Sequence, residues 1–165
     1  DVRITQIYEG TNGVQALDLV GRKLVANNGE NLKAFFEPLQ AFLAEQANNE
    51  KAAEFLGPLG DSAQALQETT AWVYQNMARD PIEAGAASSD YLKLFALTAT
   101  AFMWARMAVI AQEKLDGGET QGGFYQAKLD TARFFMTRVL PDRLGLEAKI
   151  KAGAAPMMAL ADEAF

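Results

Sequence analysis

The 165-residue chain contains no cysteine and no histidine. The first absence rules out a disulfide framework, a thiolate metal site and a cysteine nucleophile. The second removes the commonest general base and the commonest transition-metal ligand. A di-iron helical bundle, which needs Glu-x-x-His pairs, is excluded as well, and we expect no metal site. Strand signals are scarce, because β-branched residues are sparse and alternation over several residues is hard to find. No run approaches about 18 uninterrupted apolar residues, so no membrane span is expected, and no signal-peptide pattern opens the chain. Fifteen basic residues against 21 acidic ones leave a formal charge of −6. An acidic chain without a basic stripe is a poor partner for nucleic acid or an anionic membrane surface. The lack of cysteine leaves the compartment open, nothing points outside the cell, and a cytoplasmic location is the expectation. The first residue is Asp1 rather than Met, as expected of a start inside a larger polypeptide or of a trimmed N-terminus.

What is present is helix-forming. Half the residues are apolar and 22% are charged, as in an ordinary globular protein. The length suits one domain or two very small ones and suffices for a real core. Ala, Leu, Glu, Gln, Lys and Met dominate. Val14, Leu17, Val20, Leu24 and Val25 recur at helical steps and predict one apolar face on a helix over 12–26. Asn12 and Gln15 read as its capping box, and Asn27-Asn28-Gly29 as its end. A second helix carries Leu32, Phe35, Phe36, Leu39, Phe42 and Leu43, with Pro38 expected to kink or restart it. Gly57-Pro58-Leu59-Gly60 reads as an interruption before a third helix over 61–79. Asp80-Pro81 reads as a cap with proline at the first helical position. It opens a long segment to Leu115, with a break expected near Gly85 or Ser88-Ser89. The stretch from Tyr91 to Ala111 is apolar nearly all round, so it belongs in a core or a subunit interface. From it we expect a homo-oligomer. A fifth helix is predicted over 124–140, with Pro141 at its end, and a short one near 146–151. The expected fold is all-α: an up-down antiparallel bundle of four to five helices.

One segment carries chemistry: Ile7-Tyr8-Glu9-Gly10-Thr11-Asn12-Gly13-Val14-Gln15. It sets a carboxylate between an aromatic ring and a glycine, just before a helix N-terminus. Gly10 lets another group approach the backbone, and the opening N–H groups of a helix suit an anion or a polar ligand edge. A glutamate covered by an apolar ligand loses water, and its pKa rises from about 4.3 toward the ~6–7 useful to a general base. The same residues also read as a solvated turn with a local cap.

Ile7-Tyr8-Glu9-Gly10-Thr11 resembles the Tyr-Glu-Gly-Thr segment of the acyl-CoA dehydrogenases, and the resemblance runs through Gln15 and along Leu17 to Leu24. In that family the glutamate takes the α-proton of an acyl-CoA thioester while a flavin accepts the β-hydride, giving a trans-2-enoyl-CoA. By position, the resemblance implies Glu9 as the catalytic base and Thr11 against the FAD cofactor. Tyr8 and Gly10 would then lie on the substrate side. It also implies electron-transfer flavoprotein as redox partner. Many medium-chain-type members carry Gln and Arg where this chain has Gly13 and Ala16, so any cofactor contact from those side chains is expected to be lost or replaced here. The Asn12–Leu19 version is similar to a bacterial subgroup resembling 3-methylmercaptopropionyl-CoA dehydrogenases, which carries an extra helical domain. On that resemblance residues 1–28 are the tail of the catalytic core and residues 29–165 the helical extension. The fragment alone is expected to be inactive, since a base without cofactor and pocket has no hydride acceptor. A stand-alone helical structural or interaction module is the rival reading.

Among the remaining features, Trp72, Tyr74, Tyr91, Phe95, Phe102 and Trp104 are expected to pack a core. Met103, Met107, Met136, Met157 and Met158 are expected to fill gaps in it. Asp61, Glu68 and Glu83 read as solvated or capping charges.

Overall fold

The helix formers that dominate the chain do form helices, and no strand occurs among the described residues. The computed structural model describes residues 10–164. Helix α1 spans Asn12–Asp18 and passes into a π-helical turn, Leu19–Lys23, and a 3₁₀ turn, Ala26–Gly29. Helix α2 spans Glu30–Glu45, α3 Ala53–Met77 and α4 Pro81–Asp116. Helix α5, Phe124–Phe134, runs through a π turn and a 3₁₀ turn into α6, Arg143–Lys151. Together they form the all-α, up-down antiparallel bundle that the pattern predicts.

The Pro58 reading fails, and Pro38 does not restart its helix. Pro58 lies inside α3 and Pro38 inside α2, and neither ends its helix. Proline removes one backbone hydrogen bond and costs roughly 3 kcal/mol in a helix interior. Around Pro58, the buried side chains of Phe55, Leu59 and Ala63 follow one another at one-turn steps, and burying a large apolar side chain is worth about 1.5–3 kcal/mol. The long helix α4 is likewise unbroken at Gly85 and Ser88. Ser88 satisfies itself locally, its hydroxyl donating to the Gly85 carbonyl at 2.9 Å. At the start of α4 the expected cap is present: the Asp80 carboxylate accepts from the Ile82 N–H at 2.9 Å, and Pro81 occupies the first turn.

Helix α4 is the axis of the bundle, and two apolar clusters share it. One joins Leu39, Phe55, Leu59, Phe102, Ala105 and Leu140. The other joins Val20, Leu24, Leu66, Tyr91, Leu94 and Ile150. Small residues on α4, among them Ala101, Ala105 and Ala108, are fully buried, which lets neighbouring helices approach closely. By length and composition α4 alone among the described residues passes as long and apolar enough to cross a membrane, although Lys93 and Arg106 interrupt its apolar stretch. Here it is a core helix, packed on α1, α3, α5 and α6.

The expected aromatic core is present in Tyr91 and Phe102, with Trp72, Tyr74, Phe95 and Trp104 packed at its edges. The methionine expectation is corrected. Met136 is buried, but Met103, Met157 and Met158 are exposed, because they fall on helix faces or tail positions with no neighbour to fill. Glu83 is not a merely solvated charge: its carboxylate accepts from the Ala154 N–H at 2.9 Å and ties the C-terminal tail to α4.

Candidate functional site

Of the residues singled out for chemistry, Gly10 and Thr11 lie at the entry to α1. Tyr8 and Glu9 fall outside the described residues. Gly10 and Thr11 are described and exposed. Gly10 sits at φ +152°, where L side chains rarely go, and nothing lies within 4 Å of where its Cβ would be. Thr11 occupies the left-handed region, φ 62° and ψ 5°. For a β-branched residue that conformation is an outlier costing on the order of 1–3 kcal/mol, and such strain concentrates at functional positions.

The cap differs from the expected one. Thr11, not Asn12, is the N-cap of α1, and its side chain makes no cap hydrogen bond. Its carbonyl accepts the first helical bond, from Gln15 N at 2.7 Å. The Thr11 hydroxyl is therefore not spent on its own helix.

The apolar face predicted for α1 is also corrected. Ala16, Val20 and Leu24 are the buried residues, whereas Val14 is 65% and Leu17 54% exposed. The two sets lie on opposite sides of one helix. The π turn at Leu19–Lys23 keeps Val20 and Leu24 in register with the second core cluster. Polar contacts hold this end in place. Asp18 pairs with Arg22 through two hydrogen bonds and with Lys23 at 3.2 Å. The Arg22 hydrogen bond is the main cause holding the Asp18 carboxyl below its ordinary pKa. The Tyr74 hydroxyl donates to the Leu24 carbonyl, and Asn31 Nδ2 donates to the Lys23 carbonyl at 3.0 Å. The fold thus clamps the inner side of α1 and leaves its outer side, with Gly13, Val14, Leu17 and Gly21, uncovered.

Only a partial fit to a flavin exists among the described residues. The exposed Thr11 hydroxyl and the open approach over Gly10 suit one edge of such a site. A groove of about 730 Å³ between α4 and α6 and one of about 400 Å³ beside the π turn are lined by neither residue. The described residues offer an edge, not an enclosure.

A family described as acetyl-CoA dehydrogenase C-terminal-like matches residues 35–161. The chain belongs to this family. Among similar proteins is a 3-methylmercaptopropionyl-CoA dehydrogenase of Ruegeria pomeroyi, 33% identical over 142 residues, which are 85% of this chain and 24% of that protein. A butyryl-CoA dehydrogenase of Syntrophomonas wolfei is 30% identical over 179 aligned positions, covering 100% of this chain and 27% of that protein. A broad-specificity linear acyl-CoA dehydrogenase of Mycobacterium tuberculosis is 28% identical over 149 residues. The chain spans about a quarter of the length of these acyl-CoA dehydrogenase relatives. The acetyl-CoA dehydrogenase C-terminal-like match begins inside α2, beyond the segment that bears Glu9.

Proposed function

We propose that the chain is the C-terminal part of an FAD-dependent acyl-CoA dehydrogenase that oxidises acyl-CoA to trans-2-enoyl-CoA. In this reading Glu9 is the α-proton base, and Tyr8 and Gly10 line the substrate side. Thr11 lies against the flavin, which supplies the hydride acceptor when bound. Electron-transfer flavoprotein takes the electrons onward. Residues 1–28 close the catalytic core and residues 29–165 form the helical extension.

The observation that carries the reading is the coincidence at α1. The Tyr8-Glu9-Gly10-Thr11 segment leads through a strained, exposed Thr11 into a helix whose outer apolar face is bare. A segment meant for solvent has no use for either feature, whereas a segment that packs against a larger domain has use for both. The similarity of the whole chain to a butyryl-CoA dehydrogenase supports the same reading.

The chain by itself is expected neither to retain flavin nor to oxidise acyl-CoA. The deciding experiment uses the full-length protein with Glu9→Gln beside wild type. We expect loss of acyl-CoA oxidation with the flavin spectrum retained. Full activity in the variant would remove Glu9 from the role of base. Self-association is proposed too, since Met103 and Ile110 stay exposed on α4 after folding. Sedimentation showing a clean monomer at high concentration would refute it.

A further inference from the structure

Where α4 meets α5, one lysine sits in an unusual setting. The Lys128 ammonium lies 5.6 Å from the Trp104 ring centre and 5.2 Å from that of Phe124. Both rings present faces that attract a cation. The side chain is half-buried, and it forms no ion pair with a carboxylate among the described residues. Its neighbours spend their charges elsewhere: Lys114 pairs with Glu119 at 2.9 Å, and Arg133 with Glu54 at 2.7 Å. In a chain of net charge −6, a cation held by aromatic rings instead of an acid is a specific arrangement.

Beside it lies a cleft of about 150 Å³ lined by Met107, Ile110, Ala111, Phe124, Tyr125 and Lys128. The lining is wholly apolar, with Lys128 contributing its aliphatic stem. Ile110 and Phe124 are 52% and 51% exposed at its rim. An apolar cavity of roughly that volume accommodates a six-carbon ligand such as benzene. The small apolar slot thus has the Lys128 ammonium beside its lining, 5.2 Å from the centre of the Phe124 ring.

We propose that this cleft binds a short-chain fatty carboxylate, its tail against Met107, Ile110 and Phe124 and its carboxylate on the Lys128 ammonium. The inference stands apart from the catalytic reading, because it uses no residue of the α1 segment. A charge-assisted contact over a shallow apolar slot gives affinity on the order of millimolar.

The test exploits the chain's two tryptophans. With Trp72→Phe, Trp104 is the sole indole, and its emission reports on the lysine stacked against it. Titration with hexanoate is expected to give a saturable change, with acetate and hexanol each binding at least about tenfold more weakly. Lys128→Met keeps the aliphatic stem and is expected to weaken hexanoate about tenfold, while Lys128→Arg restores it. The proposal is overturned if hexanoate gives no saturable change, if hexanol or acetate matches it, or if Lys128→Met binds as wild type does.

Discussion

The Tyr91 hydroxyl lies 2.6 Å from Thr70 Oγ1 in the buried seam between α3 and α4. The single proton of Thr70 is already committed, since Oγ1 donates to the Leu66 carbonyl at 2.6 Å. Tyr91 must therefore donate and Thr70 accept. The same logic orders a second pair: Thr98 donates to the Leu94 carbonyl at 3.0 Å, so Ser62 donates to Thr98 at 2.9 Å. These two pairs fix the register of two helices whose contact is otherwise apolar.

The first prediction follows from that proton direction. Tyr91→Phe removes a donor and leaves Thr70 with its Leu66 bond, costing about 0.5–1.5 kcal/mol. Thr70→Val strands the Tyr91 hydroxyl in the core and costs about 1–3 kcal/mol. Denaturant unfolding should rank Thr70→Val as the more damaging; equal or reversed costs would show the proton direction to be otherwise.

Alkaline pH probes the same residue. Burial pushes the Tyr91 phenol from its ordinary 10.0 up to about 12. The folded state then holds a proton that the unfolded state releases, so stability falls as pH rises between 10 and about 12. Tyr91→Phe removes that slope. Melting temperatures measured across this window should decline less steeply in the variant than in wild type.

An acid-side prediction concerns Arg133, whose guanidinium grips Glu54 with two hydrogen bonds of 2.8 and 2.7 Å, joining α5 to the start of α3. That hydrogen-bonded pairing is the main cause lowering the Glu54 pKa from its ordinary 4.5. A depressed carboxylate pKa contributes stability above the unfolded value, and the contribution is lost as pH falls from there through the folded value. Both side chains are nearly half exposed, so the contribution is no more than about 1 kcal/mol and weakens with salt. Glu54→Gln should melt slightly below wild type at neutral pH, with the gap closing below pH 4.5. A gap that persists unchanged into strong acid would assign the effect to packing.

The Glu83 tie to the tail is tested at Gly153. That residue lies at φ +72°, and a Cβ there would sit 3.0 Å from Glu83 Oε2. Gly153→Ala therefore combines backbone strain with a displaced carboxylate, at a cost of about 1–3 kcal/mol. Limited proteolysis should cut the tail beyond Ala154 faster in Gly153→Ala and in Glu83→Ala than in wild type. Unchanged cleavage in both would leave the hydrogen bond without a role in tail docking.

How much of this was legible beforehand divides by range. The helix that carries Leu32 to Leu43, the helix that opens at Phe124, the Asp80-Pro81 cap and the aromatic core follow from local period and composition, which the sequence displays directly. Pro58 was misread because the contacts of Phe55 and Leu59 that keep its helix whole come from distant segments. Glu83 was missed because its partner lies 71 residues away. The face of α1 failed differently. Val14, Leu17, Val20 and Leu24 span both sides of a helix that turns partly π, and the periodic pattern does not say which apolar residues this fold covers. At the candidate site the resemblance implied the roles proposed for Tyr8, Glu9 and Thr11, while the backbone outlier at Thr11 was invisible in sequence.

That misread face yields the last prediction. Val14 and Leu17 gain nothing from this bundle, so Val14→Lys with Leu17→Lys should change the stability of the 165-residue chain by no more than about 0.5 kcal/mol. In the full-length protein the same pair is proposed to pack against the catalytic core, where burial of each side chain is worth about 1.5–3 kcal/mol. There the double variant should lose flavin during purification and lose acyl-CoA oxidation with it, although Glu9 is untouched. The contrast between the two contexts is the informative quantity. Damage in the short chain as well would mean that the outer face of α1 is covered by the bundle. Tolerance in both would mean that α1 packs on nothing further, and the reading of residues 1–28 as the closing segment of a flavin-binding core would fall.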